Sequence, residues 1–251
     1  ECIISDGVRT LSAGTRQVQI RLKPVVQGMA ISGAVVSQLS NIQIIADNAA
    51  TRFTATGLPS GVKLNATTGL LSGRPLKAGD YTITVYATNA AGRSAAKTFS
   101  WHVEDLDDDV VGAFQGLVDT DAGLNSDLGG SLTAKVTGTG TYSGAVQLGS
   151  KRYSFKGLLD SAPGTDPTSS STITRRGLPS LVLTLTISNS TGELTGSITD
   201  GTDSAGLLAR RNPWNARTAS AEAFAGYYTF GMDLSSNIGD PSVPQGTGYG
   251  T

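Results

Sequence analysis

Strict two-residue alternation of apolar and polar side chains recurs along this chain. In Tyr81-Thr-Ile83-Thr-Val85-Tyr-Ala87-Thr one face is apolar and the other mostly hydroxylic; in Lys97-Thr-Phe99-Ser-Trp101-His-Val103 the residues Phe99, Trp101 and Val103 share a face. That period is the mark of strands with one face on a core. The spacing predicts strands at Ala30–Val36, Ile42–Ala46, Arg52–Thr56, Gly69–Ser72, Tyr81–Asn89 and Ala96–Val103, with a hairpin turn at Asn89-Ala-Ala-Gly92. An earlier alternating run, Val18-Gln-Ile20-Arg-Leu22, stops at Pro24.

Between these strands, Thr56–Pro75 (TGLPSGVKLNATTGLLSGRP) reads as strand, turn, short strand, turn, strand. Gly57, Gly61, Gly69 and Gly73 fall where the backbone must bend. From residue 110 the alternation is organised as a repeat. Leu132-Thr-Ala-Lys-Val136 and Leu183-Thr-Leu185-Thr-Ile187 each open a unit, and Gly140, Gly144 and Gly149 recur as Gly192, Gly196 and Gly201 at one constant offset. Each unit reads as an antiparallel meander whose third strand is Arg152–Leu159 or Ser204–Ala209. Ser161–Ser171 between the units reads as a turn-rich loop, and Asp233–Gln245 as another. Gly112-Ala-Phe114 also corresponds to Gly226-Tyr-Tyr228, so a larger unit restarts near Ala225.

The predicted fold is therefore all-β: a two-sheet sandwich followed by a Gly-rich antiparallel meander or β-barrel with an internal repeat. The expected organisation is an N-terminal strand segment (1–24), the sandwich (25–104), an acidic linker (105–109) and the Gly-rich domain (110–251). The first residue, Glu1, and the final Gly-Tyr-Gly-Thr inside a strand pattern suggest a piece of a longer protein.

Composition narrows the chemistry. Over 251 residues there are 32 glycines and only 16% charged residues, as expected of short strands and tight turns. The 19 basic and 20 acidic side chains form no dense basic cluster, which argues against a nucleic-acid surface. No apolar run reaches the roughly 20 residues of a membrane-spanning helix. The single cysteine, Cys2, excludes an internal disulfide, and one histidine with one cysteine cannot assemble a zinc site of the usual kind. His102 falls on the polar face of its strand, and no G-x-S-x-G elbow supplies a nucleophile, so no catalytic residue is expected.

Two binding possibilities remain. Asp105, Asp107, Asp108 and Asp109 present hard oxygen ligands at a domain junction, where calcium is the metal to consider; a solvated acidic linker is the other reading. Asp119-Thr-Asp121 and Asp200-Gly-Thr-Asp203 are loop alternatives. Trp214, in the stretch Arg-Asn-Pro-Trp-Asn, with Tyr227 and Tyr228, suits glycan contact by stacking, or a plug at a barrel end.

The stretches Gly57-Leu-Pro-Ser-Gly61-Val-Lys-Leu64, Thr68-Gly69-Leu-Leu-Ser-Gly73-Arg-Pro75 and Gly79-Asp80-Tyr81-Thr-Ile-Thr-Val85-Tyr-Ala87-Thr-Asn89 resemble the bacterial putative-Ig family, which is related to the dystroglycan-type cadherin-like domains. The Gly-rich region resembles repeats that follow such domains in large secreted proteins of the Planctomycetes–Verrucomicrobia type. The resemblance implies that the predicted sandwich is an Ig/cadherin-like sandwich, set in tandem arrays at the cell surface or outside the cell, with adhesion, display or spacing as the function. The other domains of the same long chain are the expected partners, with surface proteins or glycans beyond them. The second reading is a carbohydrate-binding accessory module of a secreted enzyme. The family pattern departs here in lacking a full cadherin-type calcium motif.

Overall fold

The computed structural model describes residues 10–13, 16–19, 21–214, 220, 222, 230–232 and 248–250. The chain forms two compact units, Glu1–Asn212 and Pro213–Thr251.

The first unit opens with a hairpin of β1 (Thr10–Ala13) and β2 (Arg16–Gln19). A two-sheet sandwich follows. One sheet has the order β3 (Val26–Met29), β5 (Ser40–Ala46), β8 (Leu70–Gly73), β7 (Val62–Leu64). The other contains β10 (Gly92–Arg93), β9 (Gly79–Asn89), β11 (Lys97–Glu104) and β4 (Ala34–Val35), with β6 (Arg52–Thr56) also paired to β9. Alternation places Ile83, Val85 and Ala87 of β9 and Trp101 and Val103 of β11 in one buried core with Ile44 and Leu71. Between β6 and β8 the glycines do what the sequence requires: Gly57, Gly61, Gly69 and Gly73 all have positive φ. At Gly73 the need is steric as well, since a Cβ there would stand 2.2 Å from the Gly61 carbonyl oxygen.

One predicted strand is corrected. Ala30–Val36 is not continuous; β3 ends at Met29 and β4 covers only Ala34–Val35. The chain crosses from one sheet to the other over these residues, and β4 joins β11 in parallel. A strand changing sheets must break its ladder.

The Gly-rich region is a nearly closed antiparallel barrel. Its strands are β12 (Gly112–Val118), β13 (Gly130–Val136), β14 (Thr141–Leu148), β15 (Lys151–Leu158), β16 (Asp160–Ala162), β17 (Thr165–Ile173), β18 (Leu181–Ile187), β19 (Glu193–Thr199) and β20 (Ser204–Asn212). Neighbours in sequence pair throughout, except that β15 and β16 are separated only by Leu159 and continue one another; β20 returns to pair with β12. The interior holds side chains such as Phe114, Leu132, Leu183, Ile187, Leu194 and Ile198 and is a packed core. The constant glycine offset has a structural meaning: β12 to β15 and β17 to β20 are two four-stranded meanders that together make the barrel.

Ser161–Ser171 is therefore not a loop. It contains the end of β16 and most of β17, the first strand of the second meander. Ile173 and Pro167 are buried while Thr168, Ser170 and Thr172 face out. Pro167 precedes Thr168, where pairing with β18 begins, so its missing N–H interrupts no bond to that strand. A short helix, α1 (Ala122–Asn125), spans part of the β12–β13 connection. The expected restart near Ala225 and the excursion Asp233–Gln245 lie outside the described residues.

Candidate functional site

The junction between sandwich and barrel is built by apolar residues that punctuate the acidic stretch. Leu106 is buried in the sandwich core and Val110 in the barrel core. Between them Asp107 and Asp108 are exposed, in a turn where the Val110 N–H donates to the Asp107 carbonyl at 3.0 Å. Asp105 is exposed as well. Asp109 lies 3.7 Å from Arg211 Nη1, and Arg211 Nε donates to the Val111 carbonyl at 2.8 Å. Among the described residues, no three His, Cys, Asp or Glu side chains come together as a group that could hold a metal. The structure thus does not gather Asp105, Asp107, Asp108 and Asp109 around one point.

The alternative acidic loops are occupied by the backbone. Asp121 Oδ1 accepts from the Gly123 and Leu124 N–H groups and caps α1. Asp200 Oδ1 accepts from the N–H groups of Thr202 and Asp203, and its Oδ2 from Arg175 Nη2 at 3.1 Å. Hydrogen bonds from Asp203, then Thr202, and the Arg175 guanidinium hold the Asp200 carboxyl below its ordinary value.

A buried polar contact across the junction comes from residues not singled out as a site in the sequence. Ser37, fully buried and with φ of 70°, donates from Oγ to the Leu159 carbonyl at 2.6 Å. Arg74, between Gly73 and Pro75, donates from Nη1 to the Ser37 carbonyl and to Asp160 Oδ1, the latter at 2.8 Å. The strand end at Gly73 carries Arg74 toward the barrel, so the glycine-rich stretch fixes both the sandwich turn and the junction. The available signal was a lone arginine held between a glycine and a proline at a strand end.

His102 Nδ1 lies 2.6 Å from Asp80 Oδ1 on the exposed face of β11. No described hydroxyl is hydrogen-bonded to the ring, so the nucleophile of a Ser-His-Asp arrangement is not in place. Trp214 is half-exposed in the second unit and already takes part in an interaction within the chain. Tyr227, Tyr228 and Cys2 lie outside the described residues.

Residues 17–104 match the family described as "Putative Ig domain". A 75-residue segment is 40% identical to the "Serine-rich adhesin for platelets" of Staphylococcus aureus strain MRSA252, and equally to that of strain MSSA476. The match takes in 29% of this chain but only 6% and 3% of those two adhesins. Among solved structures, a "putative alpha-galactosidase" of Bacteroides fragilis is 30% identical over 32% of this chain and 17% of its own, with a TM-score of 0.30. The chain thus carries a bacterial Ig-like domain similar to a segment of an adhesin. Among the described residues, no helix is long and apolar enough to cross a membrane.

Proposed function

We propose that the chain is a non-catalytic structural and adhesion module of a large exported bacterial protein, working at the cell surface. The observation that carries this reading is the junction. Arg74 and Ser37 tie the sandwich to the barrel at Leu159 and Asp160, and Leu106 and Val110 plug the connecting segment into both cores. Such a joint resists bending, as a spacer requires. The likeness of the Ig-like domain to part of a staphylococcal adhesin supports the surface role.

Two measurements test the proposal. Spin-label distances between a sandwich site and a barrel site should give one narrow distribution; a broad one would remove the spacer argument. Antibody against the chain should stain intact cells of the source organism, and staining only after permeabilisation would refute the surface assignment.

A further inference from the structure

The two meanders of the barrel share a fold but not an outer surface. Strands β12 to β15 contain Lys135, Lys151, Arg152 and Lys156, all exposed, and no aspartate or glutamate. Among the described residues none of the four pairs with a carboxylate. The second meander differs. Its Arg210 is 2.7 Å from Glu193, Arg211 faces Asp109, and β17 and β18 carry no cation. Since the second half folds without free cations on its face, those of the first are not a requirement of the fold.

Register places the cations. Lys135, Ser143 and Lys156 are directly opposite one another on three adjacent strands, so the two lysines stand about 10 Å apart. Arg152 lies on the same face of β15, about 14 Å along the strand from Lys156. Ser131, Thr133 and Ser154 point outward among them. Beside Lys156 a groove of about 460 Å³ is lined by Thr137, Thr141, Tyr142, Ser143, Gly157 and Leu158.

We infer that this face binds a linear acidic polysaccharide, a uronate or sulfated polymer. Separated cations meet anionic groups along such a chain, and interleaved hydroxyls take up its sugar hydroxyls. Single-stranded nucleic acid is disfavoured because none of the outward positions on β12 to β15 is aromatic, and Tyr142 at the groove is buried in the barrel core, leaving no stacking platform. The inference goes beyond the spacer reading and does not depend on it.

Affinity electrophoresis of the whole chain tests it, with gels containing polygalacturonate, dextran sulfate or neutral dextran. One or both acidic polymers should retard the chain and the neutral one should not, with retardation falling as salt rises. The variant K135Q/R152Q/K156Q should bind at least about tenfold more weakly with an unchanged melting temperature, and R152Q alone should lie between. A control, K63Q/K97Q on the sandwich, should behave as wild type. No retardation of wild type, equal retardation of the triple variant, or tighter binding of duplex DNA at the same salt would each overturn the assignment.

Discussion

Gly140 on the barrel and Ser37 on the sandwich approach so closely that a Cβ added to Gly140 would stand 2.3 Å from the Ser37 Cβ. Gly140 also has φ of 77°, where an L side chain is strained. Gly140→Ala is therefore expected to lower stability by about 2–4 kcal/mol, from left-handed strain plus overpacking. Ser37→Gly forfeits the Oγ bond to Leu159, but it also removes the opposing Cβ and suits its own positive φ, so the double variant should lose less than the sum of the two single losses. Urea unfolding of the two single variants and the double variant measures the coupling. Additive losses would mean that the two segments do not press on each other in solution.

Arg74 and Asp160 separate the polar part of the junction. Arg74 is only partly exposed and Asp160 more so. Asp160→Asn should cost at most about 1 kcal/mol, an effect that fades in high salt. Arg74→Ala should cost more, about 1–2 kcal/mol, because the Ser37 carbonyl also loses its donor. Equal losses for both variants, or a salt-independent loss for Asp160→Asn, would contradict this ordering.

The barrel seam rests on Tyr142, whose Oη is 2.7 Å from Ser169 Oγ, which in turn donates to the Leu158 carbonyl at 3.0 Å. Tyr142→Phe should cost about 1 kcal/mol. Gly157→Ala should cost more, because its Cβ would meet the Tyr142 hydroxyl oxygen at 2.4 Å. Hydrogen exchange should then rise first at β15, β16 and β17, the strands that flank the seam. Uniform acceleration around the barrel would refute a localised seam.

Asp200 sets a pH dependence. Its carboxyl is held below the ordinary value of 3.8, so it contributes stability above that pH, and the contribution disappears as pH falls through the lowered value. Asp200→Asn should melt below wild type at neutral pH, and the gap should close in strong acid. A gap that stays constant from neutral to strongly acidic pH would remove Asp200 from the acid response.

The aspartates of the junction make a separate test. Their dispersal around Leu106 and Val110 leads to the expectation that millimolar calcium leaves the melting temperature unchanged. A rise that Asp107→Ala abolishes would show an ion there.

Much of the fold was legible because side-chain period two and obligatory glycines are local properties. Tyr81–Asn89 alternates cleanly since one face meets the core, and the repeated glycines at 140, 144, 149 and 192, 196, 201 mark equivalent places in two meanders. What escaped depends on long-range geometry. Hydroxyl-rich residues 165–172 have loop composition, and only the need to complete a barrel makes them a strand. The acids between 104 and 109 have the composition of a metal site, while the buried Leu106 and Val110 beside them decide the path of the chain. Arg74 and Ser37 could not be paired with Leu159 and Asp160 from sequence, because that contact joins segments more than eighty residues apart.

The return of β20 to β12 also fixes how the molecule would respond to pulling. Ala113 and Asn212 are cross-strand neighbours, so the chain passes into and out of the barrel side by side. Tension applied along the polypeptide opens that pair first and peels the ladder one hydrogen bond at a time. In the sandwich, β4 and β11 run parallel, and Ala34 pairs with Val103, so the same tension loads their bonds together in shear. The barrel is then the element that gives way under low force, releasing roughly 330 Å of extended chain while the sandwich holds. A surface protein with such a segment would lengthen under flow before it broke.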